Sequence, residues 1–519
     1  MLASVSRVDR SWALGLVALA LFWCVDLGLL RAGVPDPLDD TWEYGVAARQ
    51  MLEGHGFRTQ VVHPPLWTLR DARGTVPVLI HGALLPALVA PALVAFGPRA
   101  LDAIAWAGAA CALLAALALA RFAARRFGTA VGWGAAAAFT LSPLVLRAVH
   151  HDVSLLLGAW LLSEAVERAS RDQAQPWRAG LLLGAATLTR PEMLLAAPFV
   201  ALLAGRRGPV LLFVALSCAA PAWIHAARAV GMPFFNLSSY LLIGYWGAHP
   251  GLSPLRDFAI PPAAWPHALR DNLAALPAKW RDFLPHALKR GLLAPSGPIG
   301  WLVPIGALAV AWRGDAATRE TTEARDGAAP ARGAAPRVTN AALLAVGATL
   351  AAIPIAIMTL TVYDERYLTP FLPGYALAAA LGARALARRL PPWGRTTRVW
   401  LTLLIAAELL VEGPALRDVA REARTHAAWL ERERAALARA ASGAPPVLFS
   451  DMPDFVAFAL DRPTVWLTRA EYARLPERGA GRPPADRPVR GATGEAWFHD
   501  DAGVPATGAS AGRGPETRP

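Results

Sequence analysis

Along the first 415 residues, apolar stretches long enough to cross a bilayer recur between short polar loops. Each crossing takes about 20 apolar residues, since only a helix satisfies every backbone polar group without water. This repetition dictates an all-α polytopic membrane protein rather than a globular enzyme around one core. Composition agrees: 17% of the 519 residues are charged, against about 25% in soluble domains.

The net charge of +12 does not point to nucleic acid. Lysine occurs only at 279 and 289, and the arginines cluster in short loops between apolar runs, where such clusters set topology. No basic surface interleaved with aromatics appears, so nucleic acid is not an expected partner. Cys24, Cys111 and Cys218 fall inside apolar spans without disulfide or metal spacing and read as small buried hydrophobes.

Arg7 and Arg10 precede the first span, 11–30, which has no small-residue cleavage site and reads as a retained signal anchor. With those arginines inside, further spans are predicted at 100–120, 129–147, 153–167, 179–190, 191–205, 209–228, 297–312, 339–361, 368–386 and 398–413. The total is about eleven. The piece 76–96 is apolar but carries Pro77, Pro86 and Pro91. Counting it as a span would put Arg121–Arg126 and Arg206–Arg207 outside, so it is expected to be a re-entrant or surface helix.

The long outer segments are then 31–99, expected to carry juxtamembrane helices, and 229–296, with an Arg-, Gly- and Ala-rich inner loop at 313–337. The chain divides into a transmembrane module, 1–413, a small outer α/β unit, 414–477, and a Gly/Pro/Arg-rich tail, 478–519, expected to be disordered. The expected location is the cytoplasmic membrane, with the N-terminus cytoplasmic and the C-terminus outside.

Carboxylates at a membrane boundary are costly and point to function. Asp39 and Asp40 follow the first span at the start of an amphipathic helix, where Asp40, Tyr44 and Ala48 share one side. Asp40 reads either as a general base for an acceptor hydroxyl or as an acidic helix cap. His63-Pro64-Pro65 places a histidine before a rigid extended segment. His150-His151-Asp152 follows the 129–147 span, and Asp152 reads equally as a cap or as a second carboxylate converging on Asp40. A divalent metal at this His-His-Asp run is possible on residue type but not indicated, since adjacent residues point in different directions. Arg366, in Tyr363-Asp364-Glu365-Arg366-Tyr367, suits a lipid phosphate or an internal ion pair with Asp364 or Glu365. Arg190 and Glu192 offer the same choice, and there the internal pair is favoured.

Taken together these residues resemble the integral-membrane glycosyltransferases of the GT-C class, in the bacterial branch related to protein O-mannosyltransferases and lipid A aminoarabinose transferases. The matching motifs are Asp40, Tyr44 and Ala48; Gly54-His55-Gly56; His63-Pro64-Pro65; Arg125-Arg126-Phe127-Gly128; and Ser142-Pro143 with Asp152. They continue through Thr189-Arg190-Pro191-Glu192, Arg366-Tyr367-Leu368-Thr369-Pro370, Ser450-Asp451-Met452-Pro453 and Asp461-Arg462-Pro463, so the resemblance covers residues 10–470. Two departures stand out. Thr41 follows Asp40 where the family has Glu (or Asp40 replaces that Glu if Asp39 is the base), and His63 stands where relatives carry Lys.

The resemblance implies inverting sugar transfer from a polyprenyl-phosphate donor to a lipid, polysaccharide or protein hydroxyl, without a nucleotide site. It implies Asp40 as base, with Asp39 and Asp152 as further candidates, and Arg366 and His63 as phosphate contacts. Tyr44, His151, Glu365 and Tyr367 are expected to line the cleft beside membrane lipids. A lipid or glycan transporter, the rival class, predicts internal repeats and mid-span charges, and the sequence has no such repeat.

Overall fold

The computed structural model describes residues 7–30, 40–171, 175–244, 252–293, 300, 302–308, 340–361, 364–387, 421, 448–475 and 496–497. Helices dominate it. The first are α1 (Arg7–Leu30), α2 (Thr41–Leu52), α3 (Leu84–Phe96), α4 (Ile104–Phe127), α5 (Thr129–Thr140), α6 (Pro143–His151), α7 (Val153–Ala169) and α8 (Pro176–Thr189). Next come α9 (Ala197–Leu203), α10 (Gly208–Val230), α11 (Trp265–Asn272), α12 (Leu276–Leu293), α13 (Asn340–Leu360) and α14 (Leu372–Ala387). Among the described residues, Ile104–Phe127 and Gly205–Val230 are long and apolar enough to cross a membrane. The pair Thr129–Thr140 and Pro143–Val149, bent by 59°, adds a third if taken as one span. The 398–413 span and the 313–337 loop lie outside the described residues.

Several predicted spans are broken by their prolines. The 129–147 span is α5 and α6, interrupted before Pro143, because proline disfavours helical geometry in the residue preceding it. The 191–205 and 368–386 spans open as 3-10 turns, Pro191–Ala196 and Glu365–Phe371, before becoming helical. In the opposite sense α4 runs past the predicted end at 120, so Arg121, Arg125 and Arg126 belong to its last turns rather than to a loop. There they meet the buried end of α7. Arg121 pairs with Glu164, Arg125 with Glu167 at 2.8 Å, and Arg126 donates to the Ser170 carbonyl at 2.8 Å. Buried carboxylates survive only when paired in this way.

The 76–96 piece divides in two. Its start forms β3 (Val76–Pro77), antiparallel to β1 (Arg58–Thr59), and only from Leu84 does it become α3. Between them Gly82 allows close approach to the end of α8: a Cβ there would lie 1.9 Å from the Leu188 carbonyl oxygen. Gly82→Ala therefore forces the backbones apart and is expected to lower stability by about 1–3 kcal/mol, read as an earlier thermal transition in detergent. An unchanged transition would contradict this packing.

A four-stranded sheet joins β2 (Val61–Val62), β5 (Thr464–Trp466), β4 (Leu448–Ser450) and β6 (Ala496–Trp497) in that order, with every pair parallel. Its strands β4 and β5 flank α15 (Pro453–Leu460). Strand β2 (Val61–Val62), however, comes from the first outer loop, so this sheet is shared with the N-terminal module. Strand β6 (Ala496–Trp497) comes from the stretch expected to be disordered, and pairs with β4.

Helix α15 lies on α2. Trp42 packs edge-on to Phe455 at 5.4 Å, and Arg49 donates to the Ala457 and Phe458 carbonyls at the far end of α15. Those carbonyls have no partner within the helix. Arg49 also pairs with Asp461 at 2.9 Å.

Candidate active site

Asp40 stands at the N-cap position of α2, yet its side chain makes no capping hydrogen bond. The capping alternative therefore does not account for it. Its carboxylate, 22% exposed, instead faces the Arg366 guanidinium at 4.0 Å. Burial opposes the charge on Asp40, but His81, Arg366 and Arg190 outweigh it and hold the carboxyl below the usual range. Asp40 is thus an ionised group with open lone pairs. Asp39 lies outside the described residues.

Arg366 sits in the 3-10 turn Glu365–Phe371, which Asp364 caps by accepting from the Arg366 backbone N–H. Asp364 also pairs with the guanidinium at 2.6 Å, so the internal pair exists, but 45% of the Arg366 side chain remains exposed. Asp364, then Asp40, keep it firmly protonated despite burial. Glu365 and Tyr367 flank it in the same turn, and Tyr367 puts its ring beneath Arg190, 5.7 Å from the guanidinium carbon.

Asp152 takes the capping part of the two the sequence left open, and an arginine holds it there. It caps α7 by accepting from Ser154 N–H at 3.1 Å, and it pairs with Arg190 at 3.1 Å. The Ser154 hydroxyl donates to Asp152 and accepts from Arg190 at 2.9 Å. Arg190 also holds Glu192 at 2.6 Å, so the favoured internal pair is present with a second carboxylate added. Tyr44 joins this group: its hydroxyl meets His81 Nδ1 at 3.4 Å and lies near Ser154. Asp40, Tyr44, Asp152, Arg366 and Tyr367 are therefore brought together. His151 ends α6, next to Asp152 in the chain.

Three groups not singled out in the sequence complete the cluster. Glu43, on the first turn of α2, is buried and reaches His81 Nε2 at 3.1 Å and His63 Nε2 at 3.9 Å. Burial opposes its charge, and the two histidines take it down to about 2. His81 is burial-disfavoured as a cation, but Glu43 and Asp40 bring it up to about 9. Asp454, at the start of α15, lies on the Glu43 and Asp40 side; burial and those two charges push its carboxyl well above the usual range. Glu43 had a legible signal, three residues after Asp40 on one helix. His81 lay in a segment read as apolar, and Asp454 is distant in sequence.

His63 is buried between Glu43 and the edge of Trp466, with ring centroids 5.5 Å apart, and neither ring nitrogen has a hydrogen-bond partner. Its neighbours are therefore Glu43 and Trp466 rather than the Arg366 turn. Among the described residues no group of three or more His, Cys, Asp or Glu has the arrangement to hold a metal ion.

No protein-family profile and no curated protein sequence matches the chain. Among solved structures it is similar to the oligosaccharyltransferase of Archaeoglobus fulgidus crystallised with zinc and sulfate. That match has 14% identity and a TM-score of 0.50, and covers 88% of this chain but 62% of that one. It is also similar to ArnT from Cupriavidus metallidurans in the apo state, at 14% identity and a TM-score of 0.49, over 89% of this chain and 87% of that one. The same protein bound to undecaprenyl phosphate matches with a TM-score of 0.45 and 14% identity, over 89% and 86%. At such identities the likeness is one of architecture. The likeness to the oligosaccharyltransferase is one of fold alone: the described helices and their small sheet share the architecture of that membrane glycosyltransferase, the GT-C fold.

Proposed function

We propose that the chain is an inverting membrane glycosyltransferase. It moves a sugar from a polyprenyl-phosphate donor to an acceptor hydroxyl at the outer face of the cytoplasmic membrane. The observation that carries this reading is the facing pair of Asp40, an ionised carboxylate without a capping bond, and Arg366, a half-exposed guanidinium 4.0 Å away. A base and a phosphate-binding cation thereby open on one cleft, the two groups that sugar transfer from a phosphate to a hydroxyl uses. The GT-C fold supports the same class of reaction.

In this mechanism the donor phosphate approaches Arg366. Asp40 accepts the acceptor's proton as its oxygen attacks the anomeric carbon, and the carbon–phosphate oxygen bond breaks with the electron pair leaving on phosphate. Arg366 balances the charge that develops there. Arg190, over the Tyr367 ring, holds Asp152, Ser154 and Glu192 in place beside this pair. The acceptor is a lipid, polysaccharide or protein hydroxyl.

The test is transfer of label from a radiolabelled polyprenyl-phosphate sugar panel in membranes carrying the chain, with Arg366→Ala in parallel. Loss of a charged hydrogen bond costs about 1.5–3 kcal/mol, so the variant should need about 10–100-fold more donor. Transport of the lipid without sugar transfer would favour a transporter instead. Equal donor requirement in the variant would remove Arg366 from the phosphate site.

A further inference from the structure

Behind the Asp40–Arg366 pair runs a chain of polar groups that the transfer mechanism does not use. Glu43 pairs with His81 Nε2 at 3.1 Å, and His81 Nδ1 meets the Tyr44 hydroxyl at 3.4 Å. Tyr44 faces the Ser154 hydroxyl, which donates to Asp152. The chain thus leads from a carboxylate on α2 to the carboxylate that caps α7.

Hydrogen-bond polarity makes His81 the deciding member. A neutral ring that donates from Nε2 to Glu43 has only a lone pair at Nδ1, and that lone pair takes the Tyr44 proton. A protonated ring donates from both nitrogens. Tyr44 must then accept from Nδ1 and turn its own proton to its other neighbour, Ser154. Ser154 already accepts from Arg190 at 2.9 Å; accepting from Tyr44 as well fills its second lone pair and leaves its proton for Asp152. The charge on one imidazole therefore sets the direction of the Tyr44 hydroxyl, while Ser154 keeps its donation to Asp152.

The surroundings favour the charged ring. Glu43 and Tyr44 face it from α2 and Asp40 from the N-cap of that helix, with Arg190 opposing from the end of α8; Asp454 on α15, held toward its neutral form by burial and by Glu43 and Asp40, adds no charge. His63 lies on the other side of Glu43, at 3.9 Å.

We propose that Glu43 and His81 are positioning residues of the transferase. Held by Glu43, the His81 imidazolium turns the Tyr44 hydroxyl toward Ser154 and Asp152, so that Asp152 stays a fully donated anchor for Arg190 and Asp40 is left as the acting base. This rests on the transferase reading above. It fits the lift of His81 to about 9 by its acidic neighbours against burial. The proton that leaves the acceptor still goes to Asp40; His81 keeps its own throughout.

Two measurements test this separately from the transferase reading. The first needs no turnover: the imidazole 15N signals of His81, assigned by their loss in His81→Gln, are followed against pH in the full-length protein. They should titrate near 9 in the wild type, and about 1–3 pH units lower in Glu43→Gln, which removes the opposing charge. The second is the pH profile of transfer in membranes. The wild type should lose activity on the alkaline side as His81 deprotonates, and Glu43→Gln should move that limb to lower pH by the same interval. Tyr44→Phe, which has no hydroxyl to turn, should be slower at neutral pH and flatter on the alkaline side. A merely structural role would lower activity evenly at every pH. Unchanged titration of His81 in Glu43→Gln, or a Glu43→Gln profile parallel to the wild type, would overturn the proposal while leaving the transferase reading intact. Normal His81 titration with no sugar transfer by the wild type would sink the transferase reading, and the positioning role with it.

Discussion

Asp40→Asn should reduce sugar transfer by about 10²–10⁴-fold, the usual contribution of a positioned general base. The amide has nearly the same shape but takes no proton, so the melting transition should be little changed while the catalytic rate falls. Local geometry makes Asp40 the better base of the two nearby carboxylates. Asp152 receives donors from Ser154 N–H, the Ser154 hydroxyl and Arg190, which turn its lone pairs into the protein. Asp40 makes no capping bond and is 22% exposed. Its ionised state holds at neutral pH, since His81, Arg366 and Arg190 outweigh burial and keep its carboxyl low. Transfer at wild-type rates by Asp40→Asn in the membrane assay would move the base elsewhere.

The second large effect is on stability. Arg190 is 9% exposed and binds Asp152, Ser154 and Glu192 at once. Removing one partner of a buried pair leaves an uncompensated charge and costs about 3–5 kcal/mol. Arg190→Leu should therefore lower the thermal transition sharply and reduce the yield of folded protein. Arg190→Leu combined with Asp152→Asn and Glu192→Gln should recover part of that loss, because the stranded charges go with it. A single variant as stable as the wild type would mean that Arg190 is not the keystone of this wall.

How far the sequence disclosed these features depended on the range of the interactions. Asp40, Tyr44, Asp152 and Arg366 were legible because each sits in a short motif at the edge of an apolar run, and the order of those motifs has a known counterpart. The choice between cap and site was not legible. It turned on whether the Asp40 side chain bonds its own helix, and that depends on Arg366, a residue more than 300 positions away. Glu43 and His81 come from different segments, and His81 is followed by Gly82, whose missing side chain lets the chain run against the end of α8. The span boundaries followed hydropathy, but proline decided which spans opened as 3-10 turns or bent. Strands of two residues, such as β2, carry no periodicity, and their pairing with β5 has no local signal at all.

That pairing has a consequence for how the molecule comes into being. Val61 pairs with Thr464 and Val62 with Val465, so about 400 residues of synthesis separate the two edges. At about 5–20 residues per second, a ribosome spends roughly 20–80 s between delivering β2 and delivering its partner. Through that interval the first outer loop waits without the sheet that will hold it, and the start of α2 without the helix that brings Asp454. The site closes last, when Thr464–Trp466 joins the strand that follows α2. A nascent or truncated molecule is thereby kept without a finished cleft, and maturation of the whole chain becomes the condition for reactivity.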